Sequence, residues 1–93
     1  MIRKIKIYSL ALRDIENGVE YYKLQQKGLG TKFEKQVKDT IVRIQKLPYS
    51  ASIAYDQVGY KVLERFPYII LYEFDEANIC ILRVFNVHQE PIF

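Results

Sequence analysis

Ile5 and Ile7 alternate with Lys4 and Lys6 in the opening segment IRKIKIY, residues 2–8. A period of two sends successive side chains to opposite faces, so the segment predicts a strand with one face buried. Ser9 then offers a cap for a helix. Leu12, Ile15, Val19 and Tyr22 follow at spacings of three and four, and draw one apolar stripe along that helix. Its other side carries Arg13, Asp14, Glu16, Glu20 and Lys23, while Gly18 lowers its stability by about 1 kcal/mol relative to alanine.

KGLG, residues 27–30, interrupts this pattern, because glycine readily adopts the left-handed conformation that closes a helix. Thr31 can begin a second helix with the stripe Phe33, Val37, Ile41, Ile44 and Leu47, which Pro48 ends. Two amphipathic helices joined this tightly predict an antiparallel hairpin. Between Tyr49 and Gly59 no period is clear, and Gly59 suits a loop end or a bulge opening a strand. YKVLER, YIILYEF and NICILRVFNV then read as three strands, the last two joined through the turn DEAN.

The predicted fold is α+β: an N-terminal strand, an antiparallel helical hairpin, then a three-stranded antiparallel meander forming one small sheet. At 93 residues the chain has room for one domain, spanning 1–93. The hairpin should cover one sheet face and leave the other free. Pro67 cannot donate a ladder hydrogen bond, so RFPY predicts a tight corner between two strands, with Phe66 or Tyr68 anchored in the core and Arg65 held nearby.

Composition changes this picture little. Hydrophobic residues at 49% and charged residues at 27% exclude a disordered chain. A net charge of +3 steers anionic partners towards the surface. Cys80 is the only cysteine, which excludes an intramolecular disulfide and a multi-cysteine zinc site, and its strand predicts a buried small hydrophobe. No run reaches the roughly 18 apolar residues of a membrane helix, and the N-terminus lacks a signal peptide's apolar segment, so the expected location is the cytoplasm, with no membrane partner. Neither a metal, an organic cofactor nor a small-molecule substrate is expected.

The chain carries cations and a proton-transfer group suited to phosphodiester chemistry. Cleavage of RNA by its own 2′-hydroxyl needs a base, an acid and cations for charge developing on phosphorus. Lys61, Arg65, Arg83 and His88 are the candidates, and His88 is the sole histidine. Arg83 interrupts the apolar strand ICILRVF, where a lone charge must reach solvent, pair with a carboxylate such as Glu64 or Glu73, or bind an anion.

The segment RDIENGVEYYKLQQKGLGTKFEKQVKDTIVRIQKLPYS, followed by KVLERFPYIILYEFD and VFNVHQEP, resembles the RelE/ParE superfamily of type II toxin-antitoxin toxins, also known as plasmid stabilisation proteins. The pieces that carry the resemblance are YY with GLG and Phe33, RFPYIILY, and the terminal Pro91 motif. It implies the same strand and helix order, and a cognate antitoxin as partner. It also implies a cellular target: DNA gyrase for members similar to ParE, which are not nucleases, or mRNA on the ribosome for members similar to RelE. The RelE-like alternative assigns Arg65, Arg83 and His88 to catalysis, and Lys61, Tyr60, Asn86 and Gln89 to nucleic-acid or target binding. Relatives often end the last strand in Val-Phe-His, then two residues, Arg, an acid and Pro. Aligned on Phe85 and Pro91, this chain has Asn86 at the histidine position and Gln89 at the arginine position, with His88 two residues further on. Loss of those two groups removes roughly 10²-fold each from a nuclease, so a ParE-like inhibitor, which needs no such pair, is the expected activity. A degenerate member that keeps only antitoxin binding is the remaining alternative. The geometry expected is a bare basic sheet face on which Lys61, Arg65 and Arg83 lie within reach of one another.

Overall fold

Alternation and helical periodicity place most elements where the sequence predicts. The computed structural model describes residues 2–50, 52–55 and 57–88. Strand β1 is Lys4–Ile7, helices α1 and α2 are Ser9–Gln25 and Leu29–Lys46, and a 3₁₀ turn covers Pro48–Ser50. Strands β2 (Ser52–Tyr55), β3 (Val58–Val62), β4 (Tyr68–Phe74) and β5 (Asn78–Asn86) complete the chain. The meander has four strands rather than the expected three, because the aperiodic stretch after Pro48 supplies β2, paired antiparallel with β3. With β1 parallel to β5, the five-stranded sheet has the order β1-β5-β4-β3-β2.

The helix ends differ from expectation. The residue before α1 is Tyr8, Ser9 is already helical, and no side chain caps the helix. The second helix starts at Leu29 instead of Thr31, preceded by Gly28 at φ 83°, a left-handed conformation that only glycine adopts without strain.

In α1 the fully buried residues are Ala11 and Gly18, whereas Leu12 is exposed. Small residues occupy this face because neighbours approach closely. A Cβ at Gly18 would lie 2.5 Å from the Phe33 ring, and one at Gly30 would lie 2.6 Å from the Val19 carbonyl oxygen. The GLG segment therefore combines a left-handed helix entry with the α1/α2 contact. Gly30→Ala gains about 1 kcal/mol of helix propensity, but overpacking against backbone costs roughly 1–3 kcal/mol. The expected outcome is a lower urea midpoint with an unchanged m-value; an equal or higher midpoint would mean that the helices are not in such close contact.

Phe33, Val37, Ile41 and Ile44 of α2 are buried as predicted, while Leu47 is 66% exposed beyond the helix end. They meet Ile70, Tyr72, Phe74, Ile79, Ile81 and Val84 from the sheet. Tyr72, whose phenol burial shifts upward, donates its hydroxyl hydrogen to the Pro48 carbonyl at 2.6 Å, tying the chain after α2 to β4. Cys80 is half-buried rather than buried, since it lies on the sheet face opposite Ile79 and Ile81. Among the described residues no helix is long and apolar enough to cross a membrane.

The DEAN turn is held by Asp75. Its Oδ1 accepts hydrogen bonds from the Ala77 and Asn78 backbone N–H groups, both at 2.7 Å. Those bonds hold its carboxyl below the ordinary aspartate value of 3.8. A depressed folded-state pKa contributes stability that is present above the unfolded value and lost as pH falls through the folded value. Asp75→Ala should therefore lower stability at neutral pH, with the gap to the parent narrowing as pH drops below about 4. Urea midpoints across that range check this, and a gap independent of pH would remove the carboxylate's role.

Candidate interaction surfaces

The RFPY corner is fastened on three sides. Leu63 N–H donates to the Tyr68 carbonyl at 2.9 Å, Tyr68 N–H to the Phe66 carbonyl at 2.7 Å, and Val87 N–H to the Pro67 carbonyl at 2.7 Å. Phe66 and Tyr68 are both buried, as predicted, and both pack against Tyr22 and Phe33. Arg65 N–H donates to Gln36 Oε1 at 3.0 Å, which ties the corner to α2. Rigidity thus brings Arg65 to a helix rather than to the open sheet face.

The three expected cations occupy different settings. Lys61 is paired with Ile70, which is paired with Val84, so Lys61 shares the row on the helix-covered face. Arg65 lines a groove of about 260 Å³ with Lys32, Lys35, Gln36, Asp39 and Arg43 of α2. The Arg83 guanidinium grips Asp14 of α1 through Nε at 2.7 Å and Nη2 at 3.0 Å, and that carboxylate raises its pKa. Glu64 and Glu73, its expected partners, are not used: Glu64 pairs with Arg43 at 3.3 Å.

Asp14 reaches Arg83 because β1 ends early. The β1–β5 register stops at Ile7 and Ile81, leaving the next part of that edge without a strand. Helix α1 starts two residues later and carries Asp14 against it, where Asp14 Oδ2 accepts the Val84 N–H at 2.9 Å. A shift in the β4–β5 register between Leu71 and Tyr72 precedes this point. One carboxylate thus satisfies both an uncovered strand edge and a charge set among apolar residues.

Beyond Asp14, the same side of β5 opens into a cleft of about 510 Å³ that contains Asn17, Tyr21, Tyr68, Asn86 and His88. Asn86 and His88 both line it, and His88 N–H donates to Asn86 Oδ1 at 2.8 Å. No lysine or arginine is among the described residues lining this cleft. Residues outside the description are Met1, Ala51, Asp56 and 89–93, none of them cationic. Gln89 and Pro91 lie outside the described residues.

The outer sheet face is bare of helices, and Lys61 is not on it. Pairing aligns Val62 with Ile69 and Ile69 with Phe85, and Tyr60 with Leu71. Val62 and Tyr60 are exposed, so this face offers apolar contact area. Towards β1, Lys6 pairs with Cys80 and Cys80 with Glu73; the Cys80 thiol and the Glu73 carboxylate raise the neighbouring Tyr8 hydroxyl's pKa.

Asp14, Lys32, Lys35 and Gln36 were not singled out from the sequence as site residues. Asp14 reads as one charge on a solvated helix side. Lys32, Lys35 and Gln36 carry a usable signal: they recur at three- and four-residue spacing with Asp39 and Arg43, beside the buried stripe.

A family model described as ParE toxin of type II toxin-antitoxin system, parDE, matches residues 5–91. A solved structure described as the chromosomal ParDE TA system from P. aeruginosa is similar at a TM-score of 0.75 and 18% identity, covering 91% of this chain and 96% of that chain. At that identity the likeness concerns the fold. No curated protein is a significant match.

Proposed function

Because the chain belongs to the ParE toxin family of type II toxin-antitoxin systems, we propose that it is a toxin that blocks a cellular machine by surface binding, with DNA gyrase as the target, and that a cognate antitoxin neutralises it. The observation that carries the non-nuclease reading is that no lysine or arginine is among the described residues lining the cleft that holds His88. Arg83 is engaged by Asp14, and Arg65 belongs to the α2 groove. Phosphodiester cleavage needs a positive group beside the proton-transfer group, where charge develops. Inhibition by binding needs only contact area, and Tyr60, Val62 and Ile69 on the outer sheet face supply it.

Induction of the chain, with and without a cognate antitoxin, tests this reading. The expected result is growth arrest with chromosomal double-strand breaks and an SOS response, reversed by co-expression. Codon-positioned cuts in ribosome-bound mRNA would replace it with the RelE-like activity. Normal growth at verified soluble levels would end both.

A further inference from the structure

We propose that the groove between α2 and the RFPY corner binds an acidic, extended polypeptide segment of about five residues. Lys32, Lys35, Asp39 and Arg43 project along one side of α2 into this groove, and Glu64 and Arg65 form the opposite wall. From Lys32 to Arg43 the helix rises roughly 16 Å, the span of about five extended residues.

Charge divides the groove into two ends. Arg43 and Glu64 neutralise each other at 3.3 Å. Lys32, Lys35 and Arg65 form no ion pair among the described residues, and only Asp39 opposes them in the lining. Like charges brought together repel one another, and an incoming carboxylate relieves that repulsion. The walls are set before any ligand arrives. Arg65 N–H is bound to Gln36 Oε1, which fixes the backbone of the corner against α2, so binding has to order only the Lys32, Lys35 and Arg65 side chains.

The mixed lining favours a polypeptide over nucleic acid. Asp39 and Glu64 would face a continuous phosphate chain with two carboxylates, and among the described residues no aromatic ring lines the groove for a base to stack on. An acidic peptide can put carboxylates at the cationic end and amide or basic groups at the other. The inference is independent of the toxic activity and of its target.

The test uses the full chain and a fluorescein-labelled hexaglutamate peptide, read by anisotropy at low salt, with hexaglutamine and a single-stranded oligothymidylate of equal charge alongside. Hexaglutamate should bind, and bind more tightly than the other two. Lys35→Glu with Arg65→Glu should weaken binding about tenfold or more. Lys38→Glu with Lys46→Glu makes the same change in net charge outside the groove and should leave affinity within about twofold. Circular dichroism confirms that each variant is folded. Equal weakening by the two pairs would reduce the effect to general charge attraction and overturn the proposal. Tighter binding of the oligonucleotide, or no binding of hexaglutamate by the parent chain, would overturn it as well.

Discussion

Replacing Phe33 with alanine should lower stability by about 3–5 kcal/mol, the range for removing a buried aromatic ring. Phe33 has no exposed surface, and its ring lies within 5.3 Å, centroid to centroid, of Tyr22, Phe66 and Tyr68. A domain this small has only about 5–14 kcal/mol to lose, so the variant should melt roughly 15–30 °C lower or fail to fold at 37 °C. A milder pair of substitutions keeps the argument testable. A Cβ at Gly18 would meet the Cε2 and Cζ of Phe33 at 2.5 and 2.7 Å, atoms a leucine lacks. Gly18→Ala should therefore be costly beside Phe33 and tolerated beside leucine, so the double variant should be more stable than the sum of its parts. Additive effects in urea denaturation would show that ring and glycine do not meet as described.

That aromatic cluster explains why RFPY lies between two strands. Phe66 and Tyr68 are drawn into the core beside α1 and α2, and Pro67 between them has no N–H to leave unpaired while its carbonyl receives Val87. Arg65 is directed outward to α2 as a consequence. The corner thus links the sheet's packing to the composition of a charged groove 29 residues away in sequence, counted from Gln36 to Arg65.

Elements whose pattern records burial were legible. YIILYEF reads as a strand from its run of strand-forming residues, and burial alternates along it through Tyr68, Ile70, Tyr72 and Phe74. Phe33, Val37, Ile41 and Ile44 mark the core side of α2. Hydropathy failed where close approach matters more than side-chain size: Leu12 looks like core and Ala11 does not, but α1 packs through Ala11 and Gly18. Strand β2 is short, and it exists because β3 offers an edge to pair with, a fact absent from SIAY itself. The charge constellation was the least legible part. Arg83 and Asp14 are 69 residues apart, and their meeting depends on where β1 stops. Strand alternation placed Arg83 on the bare face, but nothing local to it shows that its head group turns to α1.

That ion pair yields the second large effect. Asp14→Ala removes two acceptors from Arg83 and one from Val84 N–H, with side chains only 15% and 25% exposed. An arginine left half-buried without its partner, together with an unsatisfied strand-edge N–H, should cost about 2–4 kcal/mol, or a melting temperature roughly 10–25 °C lower. Because the pair is shielded from solvent, most of that loss should persist in high salt, where an exposed pair would already be screened. Asp14→Asn keeps an oxygen for Val84 and should lose less. Asp14→Ala with Arg83→Met should lose less than the two changes summed, since no uncompensated charge remains. The same variants separate a structural arginine from one that acts on a target. If Arg83 serves mainly to close the β5 edge, Arg83→Met should lower the melting temperature yet keep growth inhibition at a temperature where the variant remains folded. Loss of inhibition at an unchanged folded fraction would instead place Arg83 in contact with the target.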